Sequence, residues 1–303
     1  MRVTIAIATW NRAELLRLTL PTLAAARVPD GVQARIIVCD NNSTDATRQV
    51  VDEAARASAA AGGLAISYVH EAAQGLSHAR NHLIDAADGD WVLFVDDDVK
   101  VEPDWLAHYV SGIAAHPEAA IFGGPILPWL QEQPGRTGQY LIQHYPNVLG
   151  ILRLDRDTPM SPLVTAYGGN MMYRRDLLAV HRFDPRRGVS GGRRGVAEEV
   201  VLINTLLAEG HPGWLLCDTP VYHHIGGDEL GLRRFCRWHT GVGRNWRVER
   251  GAPRRGRLGV AWWAWRELAR RLVGAALRWR PWPTRAFFDA ACEAAQYWGY
   301  VRG

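Results

Sequence analysis

Short apolar runs rich in β-branched residues alternate along the first hundred positions with longer stretches whose apolar residues recur at helical spacing. Val3-Thr4-Ile5-Ala6-Ile7-Ala8 reads as a buried strand. Arg12 to Ala26, with leucines at 15, 16, 18, 20 and 23, reads as a helix interrupted by Pro21. Arg35–Cys39 is a second strand, and Ser43 or Thr44 can cap a helix running to about Ala60, which Gly62-Gly63 breaks. Ala65–Val69, a helix over Leu76–Ala87, and Trp91–Val95 continue the alternation. Such a pattern predicts βαβ units and a mainly parallel sheet. Polar residues gather just after the strands, at Asn11, Asp40 and Asp96, where ligands bind in open α/β sheets.

Beyond Pro103 the pattern predicts a helix to Ala115 and a strand at Ala119–Phe122. Residues 123–165, rich in Gly, Pro, Gln and aromatics, read as a long, partly irregular connection of the kind that often carries a substrate loop. Arg186–Arg194 reads as mobile, Ala197–Glu209 as a helix and Trp214–Cys217 as a strand. A basic helix follows Leu230, then an Arg/Gly linker over 248–258 and helices over 259–279 and 284–300. The domain boundary is expected between a catalytic module, 1–247, and an Arg/Trp-rich helical extension, 248–303.

Charge sharpens that division. The 303 residues carry a formal net charge of +4, but residues 1–130 sum to −7, 131–230 to −1 and 231–303 to +12. Nine of the 13 tryptophans lie from Trp214 onward. With 48% hydrophobic and 22% charged residues, the chain is neither disordered nor collagen-like. Cys39, Cys217, Cys236 and Cys292 are widely spaced, with neither a zinc spacing nor a disulfide-dense framework, which points to a reducing compartment. The N-terminus runs straight into strand-like residues without a leader pattern, and no run of about 18 apolar residues exists. The expected location is cytoplasmic, with peripheral contact to the inner membrane face as an option for the tail.

Asp96-Asp97-Asp98 is the strongest local signal. Adjacent carboxylates repel one another unless a cation or strong donors neutralise them. At a strand end the side chains of 96 and 98 fall on one side and that of 97 on the other. Two oxygen donors facing one point suit Mg²⁺ or Mn²⁺; a solvated acidic turn is the plain alternative.

Thr9/Asn11/Arg12, Asp40 with Ser43 and Asp45, Gly75/Ala79/Arg80/Asn81 and Asp96/Asp98 occur in an order that resembles the inverting glycosyltransferases of family 2, which have a GT-A fold. The likeness is strongest over residues 1–125 and looser to 245, and one residue more than the shortest family form separates Asp40 from Ser43. It implies a Rossmann-like, mainly parallel sheet flanked by helices, here with a C-terminal helical extension. It also implies a nucleotide-sugar donor, UDP-linked in most of the family, and a divalent cation, Mn²⁺ or Mg²⁺.

The implied donor-binding residues are Thr9, Asn11, Arg12, Asp40, Arg80, Asp96, Asp97, Gly169 and Asn170. Asp40 would accept hydrogen bonds from the base and Arg80 would meet nucleotide or phosphate oxygens, with Asn81 bracing the helix start. Asp98 would ligate the metal, with Asp96 and His223 beside it. Glu198-Glu199 stands where the family usually has Glu-Asp, so Glu199 is the favoured general base and Glu198 the alternative. Arg233, Arg234 and Arg237 would contact the diphosphate or an anionic acceptor, or else form a solvated basic helix.

The acceptor is expected to be a glycan, a lipid-linked molecule or a small molecule. The tail fits helix packing, an oligomer contact or an anionic membrane surface; no nucleic-acid motif accompanies it. A catalytically impaired sugar-nucleotide-binding subunit and a nucleotidyltransferase are the rival readings. The second lacks its usual Gly-rich loop, since Ala8-Thr9-Trp10-Asn11 follows the first strand.

Overall fold

The computed structural model describes residues 1–186, 189–190, 193–194, 198–250, 262–279 and 284–302. Its elements begin with β1 (Arg2–Thr9), α1 (Ala13–Ala24), β2 (Gln33–Asp40), α2 (Thr47–Ala61), β3 (Ala65–His70), α3 (Leu76–Ala86) and β4 (Trp91–Val95). The middle of the chain forms β5 (Val99–Val101), α4 (Trp105–Ala115), β6 (Ile121–Gly123), β7 (Ile126–Leu130), α5 (Arg136–His144), β8 (Thr158–Pro159), β9 (Asn170–Arg174) and α6 (Arg175–Val180). The remainder forms β10 (Val189–Ser190), β11 (Arg193–Arg194), α7 (Glu198–Ala208), β12 (Gly213–Leu215), β13 (Val221–Ile225), α8 (Leu232–Arg250), α9 (Trp262–Arg278) and α10 (Arg285–Arg302).

The main sheet runs β3-β2-β1-β4-β9-β6-β12-β8. β1 pairs in parallel with β2 and β4, β2 with β3, and β6 with β12; β9 runs antiparallel between β4 and β6. Because successive strand residues face opposite sides, Val3, Ile5 and Ile7 join the core beneath α1, α2 and α4, whereas Ala6, Ile37 and Cys39 join the one beneath α3, α6 and α7. Burial on both faces explains why these strands are continuous apolar runs.

The chain divides into two compact units: one holds residues up to Trp129 together with most of 150–224, the other holds Leu130–Leu149 and the residues from Ile225 onward. In the second, a β-carbon on Gly243 would collide with the Gln296 backbone and one on Gly299 with the Thr240 backbone, so these glycines let α8 and α10 approach closely. Phe235, Phe288, Tyr140 and Tyr145 form its aromatic centre, with Phe235 and Phe288 ring centroids 4.9 Å apart.

Several local expectations are corrected. α1 continues through Pro21. α2 starts at Thr47 rather than beside Ser43 or Thr44, because Ser43 Oγ accepts the Asn11 amide and Asp45 Oδ1 takes the Thr47 amide instead. The 123–165 connection contains β7, α5 and β8. The basic helix continues through Arg250, into the stretch expected to be a linker. Residues 251–258 of that linker, and residues 187–188 and 191–192 of the segment expected to be mobile, lie outside the described residues.

Candidate functional site

Parallel strands that leave the sheet at one edge deliver their next residues to one place. Thr9 is in register with Asp40, and Ile7 with Val95, so the residues after β1, β2 and β4 emerge side by side. β9 enters from that same edge, Asn170 pairing with Val95, which brings Gly168 and Gly169 alongside. β13 pairs antiparallel with β5 so that His223 lies opposite Val99. The His224 amide donates to the Asp98 carbonyl at 2.8 Å.

The result is a cluster of Asp96, Asp98 and His223 whose donor atoms all lie within 4.8 Å of one another. His223 Nε2 is 3.3 Å from Asp98 Oδ1. Arg12 Nη2 holds Asp98 Oδ2 at 2.7 Å and Arg12 Nη1 holds Asp97 Oδ1 at 2.7 Å. Asp97 faces away from the cluster, accepting from the Thr9 hydroxyl at 2.7 Å, while the Thr19 hydroxyl donates to its carbonyl at 2.9 Å. Burial would raise Asp98, but His223 and Arg12 hold it well below the usual carboxylate range. Burial, and then the Asp98 charge, push Asp96 up. Asp97 rises to about 6 through burial, against the pull of Arg12.

Two carboxylates and an imidazole within such a span match the oxygen and nitrogen donors that Mn²⁺ accepts and that Mg²⁺ takes less readily because of the imidazole. Asp98 Oδ1 is buried and faces His223 Nε2 at 3.3 Å without a well-formed hydrogen bond among the described residues, so the two atoms are placed to share an ion. The residues present therefore fit a divalent cation.

Beside this cluster sits a second one. Arg80, in α3, donates to Glu198 at 2.7 Å, both side chains about 95% shielded, and lies 3.8 Å from Asp96 Oδ1. Its ring neighbour is Phe183, 5.3 Å from the guanidinium. Asn81 clamps the Phe183 backbone from both sides, its Oδ1 accepting the amide at 3.0 Å and its Nδ2 donating to the carbonyl at 2.9 Å. Asn81 thus braces Phe183 rather than the helix start. Glu199 follows in the first turn of α7, half-buried; burial, then the Glu198 charge, push its carboxyl up to about 7.

The Gly168-Gly169 pair makes room for side chains. A β-carbon at Gly168 would strike Arg80 Nη2, and one at Gly169 would lie 2.6 Å from Asp96 Oδ2. Asn170 does not join the cluster. It is fully buried, its amide donates to the Pro125 and Thr219 carbonyls at 3.0 and 2.7 Å, and its oxygen accepts from the Tyr109 hydroxyl at 2.8 Å.

Asp40 is buried at the end of β2, with Oδ1 on the Ser43 amide at 2.8 Å and Oδ2 on the Tyr68 hydroxyl at 2.9 Å. Asn11 adopts φ +52°, a backbone that asparagine tolerates better than most residues, and its Oδ1 accepts the Thr44 amide at 2.7 Å. Asn41, singled out by nothing in the sequence but its neighbours, ties the loop to α3 by accepting the Gly75 amide at 2.7 Å. In the other unit, Arg234 pairs with Glu229 at 2.9 Å, while Arg233 and Arg237 are exposed.

A mainly parallel sheet with an acid–acid–histidine cluster at its carboxyl edge, beside the Glu198–Glu199 pair, is an arrangement of the GT-A type. The chain belongs to glycosyl transferase family 2, whose sequence profile matches residues 4–182. It is 31% identical over 207 residues to the succinoglycan biosynthesis protein ExoM of Rhizobium meliloti, covering 63% of this chain and 58% of that one. It is 27% identical over 128 residues to a glucosyl-dolichyl phosphate glucuronosyltransferase of Haloferax volcanii, covering 42% and 40%. The chain thus spans about half the length of these curated relatives.

Among solved structures it resembles the mannosyltransferase PcManGT of Pyrobaculum calidifontis in complex with GDP-Man and Mn²⁺, with TM-score 0.58 and 18% identity over 97% of this chain and 69% of that one. TarS 1–349 of S. aureus in complex with UDP-GlcNAc follows, with TM-score 0.53 and 18% identity over 80% and 66%. At such identities the likeness is one of fold.

Proposed function

We propose that the chain is a metal-dependent inverting glycosyltransferase that moves a sugar from a nucleotide-sugar donor, UDP-linked in the first instance, to a hydroxyl of a glycan, lipid-linked or small-molecule acceptor. The observation that carries this reading is the Asp96–Asp98–His223 donor set, bridged through Arg80 to Glu198 beside Glu199. Two proteins of similar fold being in complex with nucleotide sugars, one with Mn²⁺, supports the donor class and the ion.

Asp96, Asp98 and His223 would hold the divalent cation. When bound, it offsets charge on the diphosphate leaving group. Arg12 fixes the Asp98 carboxylate from behind and keeps Asp97 turned toward Thr9. Asp40, at the end of β2, offers its carboxylate to the base, with Tyr68 and the Ser43 amide fixing its orientation.

Glu199 is the general base. A carboxyl raised to about 7 is a stronger proton acceptor than an ordinary glutamate and still largely ionised just above neutrality. It takes the acceptor hydroxyl proton as that oxygen attacks the anomeric carbon, and one displacement inverts the centre. Glu198, spent on Arg80, is the positioning partner rather than the base. Arg80 is held between Glu198 and Asp96 and serves to fix both carboxylates, a different task from an open phosphate contact. Gly169 provides the space that Asp96 occupies.

A thermal-shift panel of UDP-, GDP- and dTDP-sugars with Mn²⁺ or Mg²⁺ tests the donor. One nucleotide class should raise Tm in the presence of metal and lose its effect with EDTA. Stabilisation by none of them would remove the donor assignment.

A further inference from the structure

α9 uses one face for packing. Ala264 and Leu268 are buried, and Arg271 and Ala275 follow on the same side at helical spacing. Its opposite face exposes large apolar side chains around a basic position: Trp262 is 64% exposed, Val273 58% and Leu277 72%, Arg266 lies between Val273 and Leu277, and Leu272, at 49%, is on the flank. A helix with its core side already occupied gains nothing within the fold from a second apolar side, and exposed apolar surface of this kind marks an interaction site.

Charge selects the occupant. α9 carries Arg266, Arg270, Arg271 and Arg278 against the single acid Glu267. Arg266 and Arg270 are exposed on that outward side, Arg266 among its apolar residues and Arg270 at its edge, where it also pairs with Glu267 at 2.6 Å. A second copy docking on this face would bring arginines against arginines. An anionic leaflet offers the complementary potential together with an apolar interior for Trp262, Val273 and Leu277. No helix among the described residues is long and apolar enough to cross a membrane, so α9 would lie in the interface plane.

We propose that the outward face of α9 docks the protein on an anionic lipid bilayer, with Trp262, Val273 and Leu277 entering the acyl boundary and Arg266 and Arg270 meeting the headgroups. None of the residues invoked on this face belongs to the proposed transfer site.

The test is flotation of the full chain, without donor or metal, on phosphatidylcholine vesicles with and without about one-third phosphatidylglycerol. The chain should float with the anionic vesicles alone, lose binding as salt rises, and shift its tryptophan emission to the blue. Val273→Glu with Leu277→Glu should weaken binding about tenfold or more while circular dichroism and elution volume stay unchanged. Because both positions are solvent-facing, the double variant should fold; Arg266→Glu with Arg270→Glu gives a second, independent disruption. Failure of the wild type to bind anionic vesicles, equal binding by both variants, or a concentration-dependent dimer that they dissolve in place of vesicle binding would overturn the proposal. None of these outcomes depends on glycosyl transfer.

Discussion

Arg12 grips two carboxylates at once, one terminal nitrogen 2.7 Å from Asp97 Oδ1 and the other 2.7 Å from Asp98 Oδ2. A planar fork suits this bridging and a point-charge ammonium does not. Arg12→Ala should therefore lower the stability of the metal-free protein by about 2–3 kcal/mol, less than for a fully shielded pair because Arg12 is 40% exposed. Arg12→Lys should recover little of that. Mn²⁺ should restore part of it, because an ion bound to the folded state alone stabilises that state. Urea unfolding with EDTA and with Mn²⁺ reads both effects; wild-type stability in the alanine variant would remove the clamp.

The Arg80–Glu198 pair is almost wholly shielded, so losing one partner strands a charge. Glu198→Ala should cost about 3–5 kcal/mol. Arg80→Ala should cost a similar amount, and the double variant clearly less than the sum. Equilibrium unfolding of all three completes the cycle. Additive losses would show that the two residues act separately.

Glu199 gives the pH dependence. Its carboxyl is raised to about 7 by burial and by Glu198, so the ionised base is lost as pH falls through 7 rather than through the ordinary carboxylate range. At saturating metal, kcat/KM should rise about tenfold per pH unit below 7 and level off above it. Glu199→Gln should retain donor binding, lose that limb and lower the rate by about 10²–10⁴-fold. An active Glu199→Gln beside an inactive, folded Glu198→Gln would exchange the two roles.

The strand–helix alternation as far as Val95 is legible in the sequence because strands buried on both faces are unbroken apolar runs. Asp96 and Asp98 do share one side with Asp97 turned away, as strand spacing predicts, but residues 96–98 lie in the turn between β4 and β5, where Arg12 and Thr9 hold Asp97 aside. β9 is not legible: Met171 and Met172 carry no strand preference, and their extended form depends on pairing with β4 and β6, far away in sequence. The Gly168-Gly169 turn is visible, yet its purpose, space for Arg80 and Asp96, requires residues about 70–90 positions upstream. Asn170 shows the converse. Its place beside that turn suggests donor contact, but a polar amide in a core must satisfy its hydrogen bonds, and Tyr109, Pro125 and Thr219 do so. Phe183 packs on Arg80 with no local motif to announce it.

Gly169 is a test of fit around the ion. An added β-carbon would come within 2.6 Å of Asp96 Oδ2, so Gly169→Ala must displace that carboxylate. Because misplacement of about 1 Å costs on the order of 10²-fold, kcat/KM should fall by about that factor. The Mn²⁺ concentration for half-maximal rate should rise with it. Unchanged metal dependence would show that Asp96 is not a ligand.

The central claim rests on Asp98, the least exposed carboxylate of the donor set and the one held by both His223 and Arg12. The most direct measurement is Mn²⁺-dependent release of nucleoside diphosphate from the donor that the thermal-shift panel selects, in wild type and in Asp98→Ala verified as folded by circular dichroism. The wild type should turn over with Mn²⁺ and stop with EDTA, and Asp98→Ala should be inactive at every Mn²⁺ concentration. Full turnover by folded Asp98→Ala, or by the wild type in EDTA, would contradict metal-dependent glycosyl transfer at this site.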